Sequence, residues 1–96
     1  NSDNYIKITM KLDRIDIHIL LFLFMYKDTL VEKQSLIKHI PYKPRSVSFA
    51  IYRLYKAGYA DMGGSNKKKP RFTIAERGIE AICKMMEIFA HQAVNF

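Results

Sequence analysis

With 96 residues, 49% of them hydrophobic, the chain can build one folded core and has no room for two. Sixteen Lys and Arg against nine Asp and Glu leave a formal charge of +7, which points to a polyanionic partner, nucleic acid ahead of an anionic membrane surface. The single cysteine, Cys83, excludes an internal disulfide framework and suits a reducing, cytoplasmic setting.

Residues 1–12 read as an N-terminal arm or short strand, because "YIKITM" (5–10) alternates apolar and polar side chains. Residues 13–96 form the folded domain. Asp13 and Asp16 put negative charge where a helix begins, and Asp13 is a candidate cap for a helix over 14–26. The second half of that helix, "ILLFLFMY", is apolar nearly all round and so is buried on more than one side. The run is far shorter than the roughly 20 residues of a membrane span, is bracketed by charge, and has no small-residue cleavage site after it. In so small a domain its second side is expected to meet a partner subunit, through Ile19, Leu20, Phe22 and Leu23.

Residues 29–31 are short and β-prone. A helix over 33–40 follows, with Leu36, Ile37 and Ile40 at helical spacing, and Pro41 stops it. Lys43 and Pro44 open the next helix, which closes on Lys56, Ala57 and Gly58, a cation followed by a glycine at the C-terminal cap. Residues 59–62 and 71–73 are β-like and flank "GGSNKKKP" (63–70), which makes a hairpin. Thr73 and Glu76 fit an S/T-x-x-E capping box, so a last helix is expected from there to about Val94, with Met86 and Phe89 in an apolar stripe available for dimerisation. Two helices joined by Pro41-Tyr42-Lys43 and followed by a hairpin describe a winged helix-turn-helix: mainly α with a small β-hairpin, an α+β fold with a long C-terminal helix for dimerisation.

At about 100° per residue, Val47, Ala50, Ile51 and Leu54 gather on the inner side of the third helix. Arg45, Ser46, Ser48, Phe49, Tyr52, Arg53 and Lys56, with Lys43 just ahead of them, are left for the outer side. Cations, hydroxyls and rings on a helix of this kind suit the major groove of double-stranded DNA, where arginine pairs bidentately with guanine and apolar groups meet the thymine methyl. Arg45, Ser46, Ser48 and Phe49, near the N-terminus, are expected to approach base edges, and Arg53 and Lys56 to meet phosphates. In the wing, Lys67, Lys68, Lys69 and Arg71 read as a phosphate clamp, supported by Ser65 and Asn66.

Catalytic and metal readings find little footing. His18, His39 and His91 are far apart, and Cys83 has no partner at ligand spacing, so it reads as a buried or interface thiol. Gly63-Gly64 lies in the hairpin and lacks the phosphate-loop pattern. No cofactor and no enzymatic activity are expected.

"SVSFAIYRLYKAGYADM" followed by "KKKPRFTIAERG" resembles the helix–wing–helix core of small prokaryotic regulators of the MarR/PadR-like kind, over roughly residues 29–90. Ser46-Val47-Ser48, Leu54, Gly58-Tyr59, Phe72-Thr73 and Gly78 carry the likeness, and they specify the fold better than the biology. It implies a homodimeric transcriptional repressor or regulator. Lys43-Pro44 before the helix and Ala57-Gly58-Tyr59 after it are also similar to centromere-binding adaptors of tubulin-like plasmid partition systems, with the proline offset by one position. That likeness implies a dimer that binds tandem DNA repeats and hands them to a filament. A winged helix used only for contact with a regulatory protein is the remaining alternative, and would call for an apolar or acidic outer surface on the third helix.

Overall fold

The computed structural model describes residues 11–64 and 68–94, so the strand expected over 5–10 lies outside the described residues. In chain order the elements are α1 (Arg14–Met25), β1 (Val31–Glu32), α2 (Lys33–His39), α3 (Pro44–Lys56), β2 (Ala60–Gly63), β3 (Arg71–Ile74) and α4 (Glu76–Val94). The strands form one antiparallel sheet in the order β1-β3-β2, with Val31 and Met62 both opposite Phe72. This is the expected winged helix, in which α2 and α3 form the helix-turn-helix and β2–β3 the wing.

Phe72 sits at the centre of the core. It is wholly buried, as are Leu36 of α2, Val47, Ile51 and Leu54 of α3, and Ile82 of α4. The period-two alternation of β3 sends Phe72 and Ile74 inward while Arg71 remains exposed.

The reading of α1 needs a correction. Ile19, Leu20 and Leu23 have no exposed surface, so they cannot meet a partner subunit. The chain itself supplies the second side of this helix, because α3, β3 and α4 all pack against α1. Phe22 is half-buried, its ring 5.7 Å from His39 and 5.0 Å from Tyr26. Of its large apolar side chains, α1 leaves Leu21 and Met25 exposed.

The start of α4 also departs from expectation. Thr73 is not a cap: β3 continues to Ile74, and the Thr73 hydroxyl donates to the Lys27 carbonyl at 3.3 Å. Sheet pairing with Ala60 and Asp61 takes the residues that the local signature would have assigned to a helix start. Gly78, buried in the first turn of α4, lets that turn lie against the chain entering β2. A Cβ there would stand 2.4 Å from the Tyr59 carbonyl oxygen and 2.7 Å from the Ile74 side chain. α3 ends as expected, with Ala57 at its C-cap and Gly58 at φ +87°, a left-handed turn that glycine adopts without strain.

Candidate nucleic-acid interface

Pro44 occupies the first turn of α3, where its missing N–H costs nothing. From there the helix divides into an inner side, two flanks and a crest. The inner side is Val47, Ala50, Ile51 and Leu54, all buried as expected. The crest, opposite, carries Arg45, Phe49 and Lys56, all exposed; Phe49 is 67% exposed. Ser46 and Lys43 are exposed beside it, and Ser48 is half-buried. Arg45 and Phe49 stand one turn apart in line.

The flanks hold two residues whose neighbours within the chain helical phase alone did not reveal. Tyr52 does not stand free for a groove. It is half-buried and meets the Phe72 ring edge-on, centroids 5.6 Å apart at 83°, while the Lys33 ammonium lies 5.4 Å from its own centroid. Arg53 is exposed but already engaged within the chain. Its guanidinium donates to the Asp16 carboxylate of α1, and Asp13 lies 3.8 Å away. Asp16 has no exposed surface and also accepts the Asp13 backbone N–H at 3.0 Å, so the acidic pair both starts α1 and fastens α3 to it. Burial pushes the Asp16 carboxyl above the usual carboxylate range, and the Asp13 N–H and the Arg53 guanidinium pull it back down.

In the wing, Lys68 and Lys69 are exposed. Ser65, Asn66 and Lys67 lie outside the described residues. Arg71 is not part of the loop: it stands in β3 opposite Glu32 and Gly63, at the base of the wing. It lines a cleft of about 420 Å³ walled by Phe22, Tyr26 and His39.

Two residues unnoticed in the sequence join this surface. Lys33 and Gln34, at the start of α2, line a cleft of about 210 Å³ together with Lys68 and Lys69. The Lys33 N–H bonds the Pro70 carbonyl at 3.1 Å, so the base of the wing is tied to the helix-turn-helix. Lys33 thus touches both the wing cleft and Tyr52 of α3, and cationic side chains run from the crest to the wing. The one signal for it in the sequence is a basic-polar pair directly after a β-prone segment. The long-range pairing of β1 with β3 is what gives that pair its place.

Two of the histidines make local contacts. His39 Nδ1 lies 2.9 Å from the Ser35 carbonyl, and His18 packs edge-on to Tyr42 with centroids 5.3 Å apart. Cys83 is exposed on α4 rather than buried. Among the described residues, no group of three or more His, Cys, Asp or Glu is placed to hold a metal ion, and no helix is long and apolar enough to cross a membrane.

No family model matches the chain, and no curated protein matches it. Solved structures do. An A103V mutant of MepR from a multidrug-resistant S. aureus clinical isolate superposes with a TM-score of 0.79 at 13% identity, over 88% of this chain. The chain spans 62% of the length of that protein. S. aureus MepR in complex with DNA gives a TM-score of 0.77 at 13% identity, covering 85% of this chain and 68% of that one. ZitR, a zinc-responsive MarR family member of Lactococcus lactis, gives 0.62 at 14%, covering 92% and 65%. At these identities the likeness establishes the shared fold, a winged helix.

Proposed function

We propose that this chain binds double-stranded DNA as a homodimer and regulates transcription, laying α3 in a major groove and the wing along the adjacent backbone. The observation that carries the reading is the crest of α3. Arg45, Phe49 and Lys56 project from the second helix of a helix-turn-helix, uncovered by any described residue and needed by no core contact. An apolar or acidic surface, which contact with a regulatory protein would call for, is not what this helix presents. Arg45 fits bidentate recognition of guanine and Phe49 a neighbouring thymine methyl, while Lys33, Lys43, Lys56, Lys68 and Lys69 supply salt-dependent affinity to phosphates. Ser65, Asn66 and Lys67 complete the clamp. The S. aureus relative in fold was solved on DNA, which supports the same use here.

Dimerisation rests on α4. From Cys83 to His91 every residue but Met85 is exposed, and the stripe that buries Ile82 continues outward as Met86, 48% exposed, and Phe89, 68% exposed. Apolar surface of that kind on a small protein marks an interface, and a second copy would place two α3 helices for two half-sites.

The test is selection from a random duplex library by the purified protein, with affinity measured against salt concentration. A single enriched sequence with two related half-sites is the expected product. Tandem repeats would favour the partition adaptor instead. Absence of any enriched sequence, with no salt-dependent binding, would overturn the DNA reading.

A further inference from the structure

We infer that Asp16 is a positioning residue of the DNA-contacting helix: its buried carboxylate holds Arg53 against α1 and so withholds that cation from DNA phosphate. The inference rests on the DNA-binding reading above. It concerns a residue that contacts no DNA and a cation that the sequence assigns to phosphate.

Three observations support it. The first is position. With the inner side of α3 centred between Val47 and Leu54, Arg45 and Lys56 fall almost opposite, whereas Arg53 turns roughly 70° off the crest at 100° per residue, toward α1. The second is asymmetry of burial. The Arg53 side chain keeps 45% of its surface exposed, and that of Asp16 keeps none. The acid cannot leave the pair for solvent, while the guanidinium has an aqueous route outward. A carboxylate taken out of water is costly unless it is paired, so the pair holds because Asp16 needs it. The third is local charge. Arg53 faces two carboxylates, Asp16 in contact and Asp13 at 3.8 Å. Of the four cations at 43, 45, 53 and 56, Arg53 alone is neutralised by a described residue of the chain.

The pair acts at two points. It is a strut from the start of α1 to the last turn of α3, fixing how the crest is presented. It also subtracts one cation per subunit from the non-specific attraction to any duplex, and so widens the gap between cognate and random DNA. An uncharged side chain at 16 removes both effects, leaving Arg53 free to swing to the nearest phosphate.

The experiment measures affinity for a random duplex against salt concentration for the full chain and three variants. Arg53→Gln should keep the wild-type salt slope, because no phosphate contact is lost. Asp16→Asn, which retains an oxygen for the Asp13 N–H, should steepen the slope by about 0.9 per subunit for each phosphate that Arg53 newly reaches, and so tighten random-duplex binding at low salt. Asp16→Asn with Arg53→Gln should return to the wild-type slope, which a purely structural role for Asp16 would not predict. An Arg53→Gln slope shallower by about one per subunit means that Arg53 already touches phosphate, and overturns the inference. So does an Asp16→Asn slope unchanged from wild type. If Asp16→Asn is unfolded by circular dichroism, the Arg53→Gln slope decides alone. Wild-type protein with no salt-dependent binding would remove the DNA reading itself, an outcome distinct from either of these.

Discussion

α3 and α4 are both amphipathic, and they use their apolar stripes differently. In α3 the stripe is taken up inside the domain: Val47, Ala50, Ile51 and Leu54 are all buried, and what faces outward is mixed and cationic. In α4 the stripe outlasts the domain. Ile82 is wholly buried, but Met86 and Phe89, on the same side, are exposed. A helix whose apolar side is satisfied at home is free to offer its other side to a polar ligand. A helix with apolar surface to spare calls for more protein. On this contrast rests the proposal that α3 meets DNA and α4 a second copy of the chain.

The sharpest way to break the contrast is within α3. Ile51→Ala should cost about 2–5 kcal/mol of stability by opening a cavity in the core. Phe49→Ala, two residues away, should stay within about 0.5 kcal/mol in a denaturant titration. Comparable losses for both would mean that the crest is not a free surface. The contact of α4 with the rest of the domain is tested next by Gly78→Ala. Its Cβ would press on the Tyr59 carbonyl, and backbone adjustment of that kind costs about 1–3 kcal/mol.

On the binding side, Arg45→Ala should weaken cognate DNA by about 1–3 kcal/mol and relax preference at one base pair, leaving random duplex almost untouched. For α4, Met86→Glu with Phe89→Glu should convert the proposed dimer to a folded monomer in sedimentation, with helix content kept and a melting transition that no longer depends on concentration. A monomeric parent chain would end the proposed role of α4.

The smallest effect is one of pH. Burial already holds the Asp16 carboxyl above its usual value, and Arg53 works against that rise. Arg53→Gln should therefore raise it further. A carboxyl that titrates higher folded than unfolded binds more protons in the folded state, so stability falls as pH rises from about 4 through the folded value. The stability lost in Arg53→Gln should accordingly be larger at pH 7 than near pH 4. A pH-independent difference between the two proteins would contradict this.

Periodicity carried most of the fold. The inner side of α3 was legible because four apolar residues at helical spacing admit one phase, and the wing because Gly63, Gly64 and Pro70 punctuate two β-prone segments. What phase does not tell is how wide the outer side is. Tyr52 and Arg53 fall outside the stripe, but each lies on a flank that a neighbour reaches, Phe72 on one side and Asp16 on the other. The Arg53–Asp16 contact joins residues 37 apart in sequence, and nothing local announces it. Thr73 failed as a cap for a similar reason, since the local signature was present and sheet pairing prevailed over it. With α1, an all-round apolar helix rightly implied a second burying surface, but composition could not say whose.

The two-residue strand β1 has a consequence for the adaptability of this surface. Together with the Lys33–Pro70 bond and the pairing of Gly63 with Arg71, it anchors both ends of the wing loop before the tip begins. Changes of length or charge between those anchors should therefore leave Phe72 and α3 in place. The wing is thus an interchangeable part. If α3 reads bases as proposed, grafting tips of different size onto this frame should retune grip on the DNA backbone and leave the choice of bases unchanged.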